Sequence, residues 1–130
     1  MLFRSASIVN SPDRPPSTDT SGGDATVQLV TLDPEACRTL LATHHFGRLG
    51  VTIGHQPMVF PVNYALDGES IVFRIDEGSK LRGAVGRRVA FEIDGIDQFS
   101  HTGWSVIVVG DALVAPDDDH ARLHTLPLSP

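Results

Sequence analysis

Residues 71–81, I-V-F-R-I-D-E-G-S-K-L, decide the fold, because this stretch has the pattern of a β-strand that ends in a polar turn and leads into a short helix. Ile71, Phe73 and Ile75 alternate with the other residues of the strand, as one face of a half-buried strand requires. Gly78 then gives the turn a permissive backbone. The pattern therefore predicts a strand followed directly by a turn that displays polar side chains.

The end of this strand has the residue types of an anion-binding site. Ser79 and Lys80 place a hydroxyl group and a cation at the start of the predicted helix, where backbone N–H groups and the helix dipole favour negative charge. Arg74 lies on the polar face of the strand and can reach the same point. The sequence therefore predicts a phosphate site built from Arg74, Ser79 and Lys80. The alternative is a solvated strand end with unrelated surface charges, and spacing alone does not decide between the two.

The distribution of charge favours a small anionic ligand over nucleic acid. The chain has 10 Lys and Arg residues against 16 Asp and Glu residues, so its overall field repels anions. Half of the basic residues nevertheless lie in one short window, namely Arg74, Lys80, Arg82, Arg87 and Arg88. Nucleic-acid binding needs a broad basic surface, which an acidic chain with one basic window does not offer.

The composition is that of a single globular domain. A chain of 130 residues with 41% hydrophobic and 20% charged residues suits one folded unit with a modest core. No apolar run approaches the roughly 20 residues that a membrane helix needs, and the N-terminus lacks the continuous apolar stretch of a secretory signal. The single cysteine, Cys37, excludes an intrachain disulfide and fits a reducing compartment. We therefore expect a cytoplasmic protein without a membrane partner.

The composition along the chain predicts two regions. Residues 1–25 are rich in Pro, Ser, Thr, Asp and Gly, and we expect them to form a disordered N-terminal tail. Residues 26–130 are expected to form the folded domain. Asp33 and Pro34 predict the start of a helix, since aspartate suits the N-cap and proline suits the first helical position.

Alternating apolar residues predict an antiparallel β-protein. Besides the strand at Ile71, we expect strands at residues 48–53, 58–66, 88–93 and 104–114. The pair Asp67-Gly68 is a hairpin signal that joins two of them. Because helices are predicted only at the margins, and because closure removes exposed strand edges, the pattern favours a small antiparallel barrel.

Five motifs in this order resemble those of a known family. They are G-R-L-G-V (47–51), P-V-N-Y-A-L-D-G (61–68), I-V-F-R-I-D-E-G-S-K-L (71–81), V-A-F-E-I-D-G (89–95) and T-G-W-S-V-I-V-V-G (102–110). The chain resembles the pyridoxamine 5′-phosphate oxidase-like flavin-binding split-barrel proteins. More narrowly, it is similar to the small actinobacterial-type members related to nitroimidazole-resistance proteins. The resemblance covers residues 32–114.

The resemblance implies a mainly β fold, an antiparallel split β-barrel that is six-stranded in the family and has short flanking helices. It also implies a homodimer with two FMN sites at the interface, each lined by both subunits. In such proteins the flavin phosphate is held by the residues that match Arg74, Ser79 and Lys80. These are the residues whose spacing predicts a phosphate site.

The resemblance assigns the flavin ring to two other segments. The segment that runs beside the ring in relatives corresponds to Pro61, Val62, Asn63 and Tyr64. On this basis we expect the Asn63 amide to bond the polar edge of the ring and Tyr64 to supply aromatic surface. Trp104 and Ser105 begin the strand that is expected to meet the partner subunit and to wall the pocket.

Two departures from the family pattern matter. Relatives continue with a further strand after the point that corresponds to the last residues of this sequence, so we expect that the family's C-terminal strand is absent from the domain at residues 26–130. Ile75 stands where many relatives have a threonine that also bonds the phosphate.

The resemblance favours a flavoprotein with FMN as cofactor, an oxidoreductase or reductase that acts on a small redox substrate. Two alternatives stay open: a carrier or sensor that binds flavin, haem or another cofactor without turnover, and a deazaflavin-dependent reductase. Hydride chemistry would belong to the cofactor, so no catalytic side chain is predicted. His120 and His124 stand four apart beside three aspartates, but a solvated surface is the better interpretation and no metal site is predicted.

Overall fold

The computed structural model describes residues 2–9, 31–75, 78–115 and 125–127, with residues 2–9 described by their backbone alone. Within these ranges the chain has one α-helix, α1 (Pro34–Thr43), and one 3₁₀-helix (Lys80–Ala84). The strands are β1 (Leu2–Val9), β2 (Phe46–Ile53), β3 (Gln56–Asn63), β4 (Ala65–Asp67), β5 (Ser70–Val72), β6 (Arg88–Asp97) and β7 (Thr102–Leu113). They form a sheet in the order β3-β2-β6-β7-β1-β5-β4, with every pair antiparallel. The prediction of a mainly β, antiparallel fold is confirmed.

Helix α1 begins where the sequence predicts it. Asp33 is the N-cap, and its Oδ1 accepts a hydrogen bond from the backbone N–H of Ala36 at 2.7 Å. Pro34 follows at the first helical position. Cys37 and Leu41 are four residues apart and buried, so they lie on one face that fastens α1 to the core. Neither helix in the described part of the chain has the length and apolar character to span a membrane.

The core is supplied by alternate residues of the central strands, with α1 packed against them. The almost fully buried residues of β2, β6 and β7 include Leu49, Val51, Val89, Phe91, Ile93, Val106 and Val108. Gly47 completes this packing, because a Cβ at its position would lie 2.8 Å from the backbone oxygen of Glu92 and would also meet the Phe91 ring. The absence of a side chain at Gly47 therefore lets β2 approach β6 closely.

We call the side of β3, β2, β6 and β7 that faces away from the core the outer face. One row across it, set by the register of the paired strands, consists of Val59, Gly50, Ala90 and Val109. The next row consists of Pro61, Arg48, Glu92 and Ile107. The first row is small and apolar, whereas the second has two charged residues at its centre.

Strand β1 lies within the segment for which the sequence predicts a disordered tail. Leu2–Val9 pairs with β7 on one side and with β5 on the other, which differs from the expected tail at these residues. All proline and glycine residues of the segment 1–25 follow Val9. The strand sequence L-F-R-S-A-S-I-V contains neither residue type, so nothing in it opposes strand pairing. Residues 10–30 lie outside the described residues, and the domain boundary at residue 26 stays a prediction.

Strand β5 is shorter than its apolar alternation predicts. It ends at Val72, although the alternation continues for three more residues. Both neighbouring strands begin at this register, because Val72 pairs with Leu2 of β1 and with Ala65 of β4. Residue 64 does not extend β4, because the Tyr64 N–H donates to the backbone oxygen of His45 at 2.9 Å. The ladder therefore stops at Val72.

Candidate functional site

The predicted phosphate site lies on residues 74–80, which we call the basic loop; residues 76 and 77 are outside the described part of the chain. Its two ends are fixed in the same core, since Phe73 is fully buried and Leu81 is 7% exposed. Arg74 and Lys80 stand immediately next to these anchors and are exposed. The core therefore holds both ends of a short segment whose terminal cations are accessible to an anion in solution.

Ser79 has a structural role in the basic loop. Its backbone is extended, and its Oγ accepts a hydrogen bond from the N–H of Leu81 at 3.2 Å, which makes it the N-cap of the 3₁₀-helix. Its hydroxyl hydrogen can still be donated to a ligand, because the capping bond uses only a lone pair. The 3₁₀-helix has five residues, so an anion at this point would be held by side chains rather than by a helix dipole.

The cations that end and follow the basic loop are exposed, namely Lys80, Arg82, Arg87 and Arg88. Ion pairs are seen at Arg38 on α1 and at Arg48 on β2. The basic window that the sequence predicts is therefore a set of solvent-accessible charges. Such a set raises the local concentration of a small anion.

The segment 61–64 places two side chains inside the protein and two nearer the surface. Pro61 is exposed on the outer face, and Asn63 is half-buried on the same face. Val62 and Tyr64 are buried. A ligand on the outer face can therefore touch Pro61 and Asn63, but it cannot reach Tyr64.

Tyr64 belongs to the core. Its ring meets the Phe91 ring edge-on at a centroid separation of 4.8 Å, and its hydroxyl donates to the backbone oxygen of Leu41 at 2.7 Å. That carbonyl lies in the last turn of α1, where no intrahelical N–H is available to it. Burial raises the pKa of Tyr64 to about 12. The expectation that Tyr64 supplies aromatic surface to a flavin does not fit this position.

Tyr64→Phe is expected to lower the free energy of unfolding by about 1–3 kcal/mol, because the buried Leu41 carbonyl loses its donor. Affinity for any ligand at the basic loop should stay unchanged, since the hydroxyl points into the core. Urea denaturation and ligand titration of the same preparation measure the two quantities. A variant of unchanged stability with weakened ligand binding would contradict the structural role.

Trp104 and Ser105 lie on opposite sides of β7. Trp104 is half-buried and packs on Gly95, where an added Cβ would come within 2.6 Å of the indole nitrogen. Its ring also meets the His44 imidazole edge-on at 4.9 Å. Ser105 is exposed on the outer face opposite Asp94. One protomer therefore cannot present both residues to the same ligand surface.

The outer face also has a cleft that no sequence motif indicates. Its volume is about 460 Å³, and its lining includes Gly50, Ala90, Val59 and Val109, with Arg88 as a cation. The hollow exists because the two smallest of these residues, Gly50 and Ala90, are paired across β2 and β6. This pairing becomes visible only when the register of the strands is known, so the sequence pattern could not reveal it.

A cluster of charges lies beside this cleft. Arg48 donates from Nη1 to Oδ2 of Asp94 at 2.9 Å, and the same nitrogen lies 3.6 Å from Oε1 of Glu92. That Oε1 atom is buried and has no hydrogen-bond partner among the described residues. Burial raises the pKa of Glu92, and the neighbouring Asp94 raises it further, while Arg48 acts in the opposite direction.

Because the pKa of Glu92 is raised in the folded protein, the folded state binds this proton more tightly than the unfolded chain. Stability relative to Glu92→Gln should therefore fall as pH rises from the ordinary value of 4.5 through the raised pKa, and should then level off. Urea denaturation of both proteins across this range measures the difference. Glu69→Gln, at a side chain that is 84% exposed, is the control. If the unaltered protein instead became more stable relative to Glu92→Gln as pH rises, the assignment would be contradicted.

The fold and the basic loop define a small antiparallel β-protein with a candidate surface site for an anionic ligand. Residues 33–129 match the pyridoxamine 5′-phosphate oxidase family. The chain is 31% identical over 109 residues to the uncharacterized protein Rv0080 of Mycobacterium tuberculosis. The match covers 79% of this chain and 72% of that protein. The chain therefore belongs to the pyridoxamine 5′-phosphate oxidase-like family.

Solved structures with the split-barrel fold resemble this chain. The FAD-binding protein of Mycobacterium smegmatis is 34% identical, with a TM-score of 0.67, and the match covers 76% of this chain and 82% of that one. A pyridoxamine 5′-phosphate oxidase-like protein of Corynebacterium glutamicum is 28% identical, with a TM-score of 0.64, over 76% of this chain and 73% of that one. The fold class predicted from the motifs is the fold of these relatives.

Proposed function

We propose that this protein binds a flavin nucleotide by its phosphate at the basic loop and uses it as an oxidoreductase on a small redox substrate. The observation that carries the proposal is the pair of exposed cations, Arg74 and Lys80, at the two core-anchored ends of that loop. The similarity to a FAD-binding relative at 34% identity supports a flavin as the anionic ligand. FMN and FAD share the ribityl phosphate that such a site would recognise.

The residues of the loop fit a phosphate by their chemistry. Arg74 and Lys80 offer charged N–H donors, and Ser79 offers its hydroxyl hydrogen while its oxygen caps the 3₁₀-helix. Each hydrogen bond to a charged group contributes on the order of 1.5–3 kcal/mol. The bound flavin would supply the hydride chemistry, so the side chains need only bind it, orient it and exclude water.

Purification followed by visible absorption spectroscopy tests this proposal. Protein incubated with FMN or FAD and passed through a desalting column should stay yellow, and a reduced nicotinamide with a quinone or nitro acceptor should then be consumed. Protein that retains neither nucleotide would refute flavin binding. Protein that retains flavin but reduces no acceptor would refute the oxidoreductase role and leave a carrier or sensor.

We further propose that the protein works as a homodimer whose flavin sites adjoin the interface, with the outer face as the contact surface. Val59 is 69% exposed and Ile107 is 41% exposed, and both project from the two rows that surround the cleft. Burying them against a second copy would remove apolar surface from water. Pro61 and Asn63 would then lie at the edge of the same contact.

Val59→Asp is expected to weaken dimerisation at least tenfold, because a carboxylate would be buried in an apolar contact without a partner. Light scattering coupled to size-exclusion chromatography across a dilution series measures the dissociation constant. Val114→Asp is the matched control, since Val114 is 61% exposed but follows β7 and lies outside the outer face. Equal effects of the two substitutions would contradict the proposed interface.

A further inference from the structure

Strand β1 joins two parts of the sheet that have no direct pairing with each other among the described strands. On one side it pairs with β7, from Leu2 opposite Leu113 to Val9 opposite Ile107. On the other side it pairs with β5 at three positions, which are Leu2 with Val72, Phe3 with Ile71 and Arg4 with Ser70. Among the described strands, β1 is the one that pairs with both β5 and β7, so it connects the β4–β5 hairpin to the ladder of the other strands.

The β4–β5 hairpin is too short to be stable by its own pairing. Each strand has three residues, and an isolated two-stranded hairpin is marginal in water even when it is longer. Pairing with β1 gives β5 a second neighbour and makes it an interior strand of the sheet. The position of β5 therefore depends on β1 as well as on the packing of its own buried residues.

The basic loop begins two residues after β5. Val72 is the last residue of the strand, Phe73 is the core anchor, and Arg74 is the first cation of the loop. A displacement of β5 would be passed to Arg74 through one intervening residue. The other end of the loop is fixed separately, by Leu81 in the core and by the Ser79 cap.

We propose that β1 is a clasp that holds Arg74 in position for the phosphate ligand, so that docking of the N-terminal strand and ligand binding at the basic loop are coupled. The ligand in this proposal rests on the proposed function, whereas the clasp itself rests only on strand pairing. Coupling between two equilibria is reciprocal, so the ligand must stabilise the docked strand as much as the docked strand favours the ligand. This assigns to Leu2–Val9 a positioning role at a distance from the ligand.

Hydrogen exchange of the full chain, followed by mass spectrometry with and without saturating FMN, tests the coupling directly. FMN should slow exchange in residues 2–9 as well as in residues 70–75, by threefold or more in both. Protection confined to the basic loop, with residues 2–9 unchanged, would overturn the coupling, because it would mean that the ligand does not sense the strand.

A disulfide clamp tests the same inference from the protein side. Arg4→Cys with Ser70→Cys places two cysteines directly opposite each other across β1 and β5, at a Cα separation of about 4.5–5.5 Å that a disulfide can bridge. The oxidised clamp should bind FMN about three- to tenfold more tightly than the same protein after reduction. Asp97→Cys with Thr102→Cys, opposite each other across β6 and β7 and not on the outer face, is the control pair whose oxidation should leave the affinity unchanged. Equal FMN affinity of the oxidised and reduced Arg4–Ser70 clamp would overturn the proposal.

The clasp and the flavin proposal fail in distinguishable ways. If the unaltered chain binds no flavin, the proposed function is refuted. The clasp is then tested by amide exchange of the protein without ligand. Oxidation of the Arg4–Ser70 pair should still slow amide exchange at residues 71–75 at least tenfold relative to the reduced protein. Exchange at equal rates in the two forms would show that β1 does not hold β5 and would overturn the clasp.

Discussion

Replacing Arg74 and Lys80 together by alanine is expected to weaken FMN binding a hundredfold or more. Removal of each side chain would cost the phosphate one charge-assisted hydrogen bond, which contributes about 1.5–3 kcal/mol. Two such losses amount to at least about 3 kcal/mol, and each 1.4 kcal/mol is a tenfold change in the dissociation constant. Both residues are exposed, and a surface contact that Arg74 loses should change the free energy of unfolding by at most about 1 kcal/mol.

Titration of FMN by the quenching of its fluorescence measures the dissociation constant. The single variants Arg74→Ala and Lys80→Ala should each show about half of the double variant's change in binding free energy. Arg38→Ala is the matched control, because it removes an exposed arginine from α1, far along the chain from the basic loop. If the double variant bound FMN as tightly as Arg38→Ala, the basic loop would not be the phosphate site.

Phe91→Ala is expected to lower the free energy of unfolding by about 3–5 kcal/mol, the loss typical of a large aromatic residue removed from a core. Phe91 is 2% exposed, packs edge-on against Tyr64, and fills the space that Gly47 leaves open on β2. Its removal would leave a cavity at the contact between β2 and β6. A domain of this size is stabilised by only about 5–15 kcal/mol, so a large part of its stability would be lost.

Urea denaturation at neutral pH measures this change in stability. Phe99→Ala is the control in the same hairpin, because the Phe99 side chain is fully exposed between β6 and β7 and should contribute less than about 0.5 kcal/mol. Comparable losses in the two variants would contradict the placement of Phe91 at the centre of the core.

The fold could be predicted from the sequence wherever local chemistry is decisive. Asp33 and Pro34 mark the start of α1 by capping and by a fixed backbone angle, and the structure has the helix there. Apolar alternation in β2, β6 and β7 follows from burial on one face of a sheet, and these strands lie where the alternation places them. The order of five motifs then indicated the family.

Features that depend on pairing between distant segments could not be predicted. Strand β1 could not be predicted, because the average composition of residues 1–25 is typical of a tail and the partners of β1 lie more than 60 residues away on β5 and β7. The alternation after Val72 is real, but the ladder stops there because β1 and β4 both begin at that register. Local pattern carries no information about where a partner strand begins.

The candidate site also has features that could be predicted from the sequence and features that could not. Spacing predicts that Ser79 opens a short helix, and the structure has Ser79 as the N-cap of the 3₁₀-helix, whereas the phosphate site itself stays a prediction. It gave no sign that Tyr64 turns into the core to bond the Leu41 carbonyl, or that Gly50 and Ala90 together form the floor of a cleft. Both depend on three-dimensional neighbours rather than on sequence spacing.

The comparison of FMN with riboflavin tests the central claim most directly, because the two ligands share the ring and differ in the phosphate. If Arg74, Ser79 and Lys80 hold the phosphate, the unaltered protein should bind FMN at least a hundredfold more tightly than riboflavin. In the Arg74→Ala, Lys80→Ala double variant this ratio should fall to within a few-fold of one. Equal affinity of the unaltered protein for FMN and riboflavin would contradict the account.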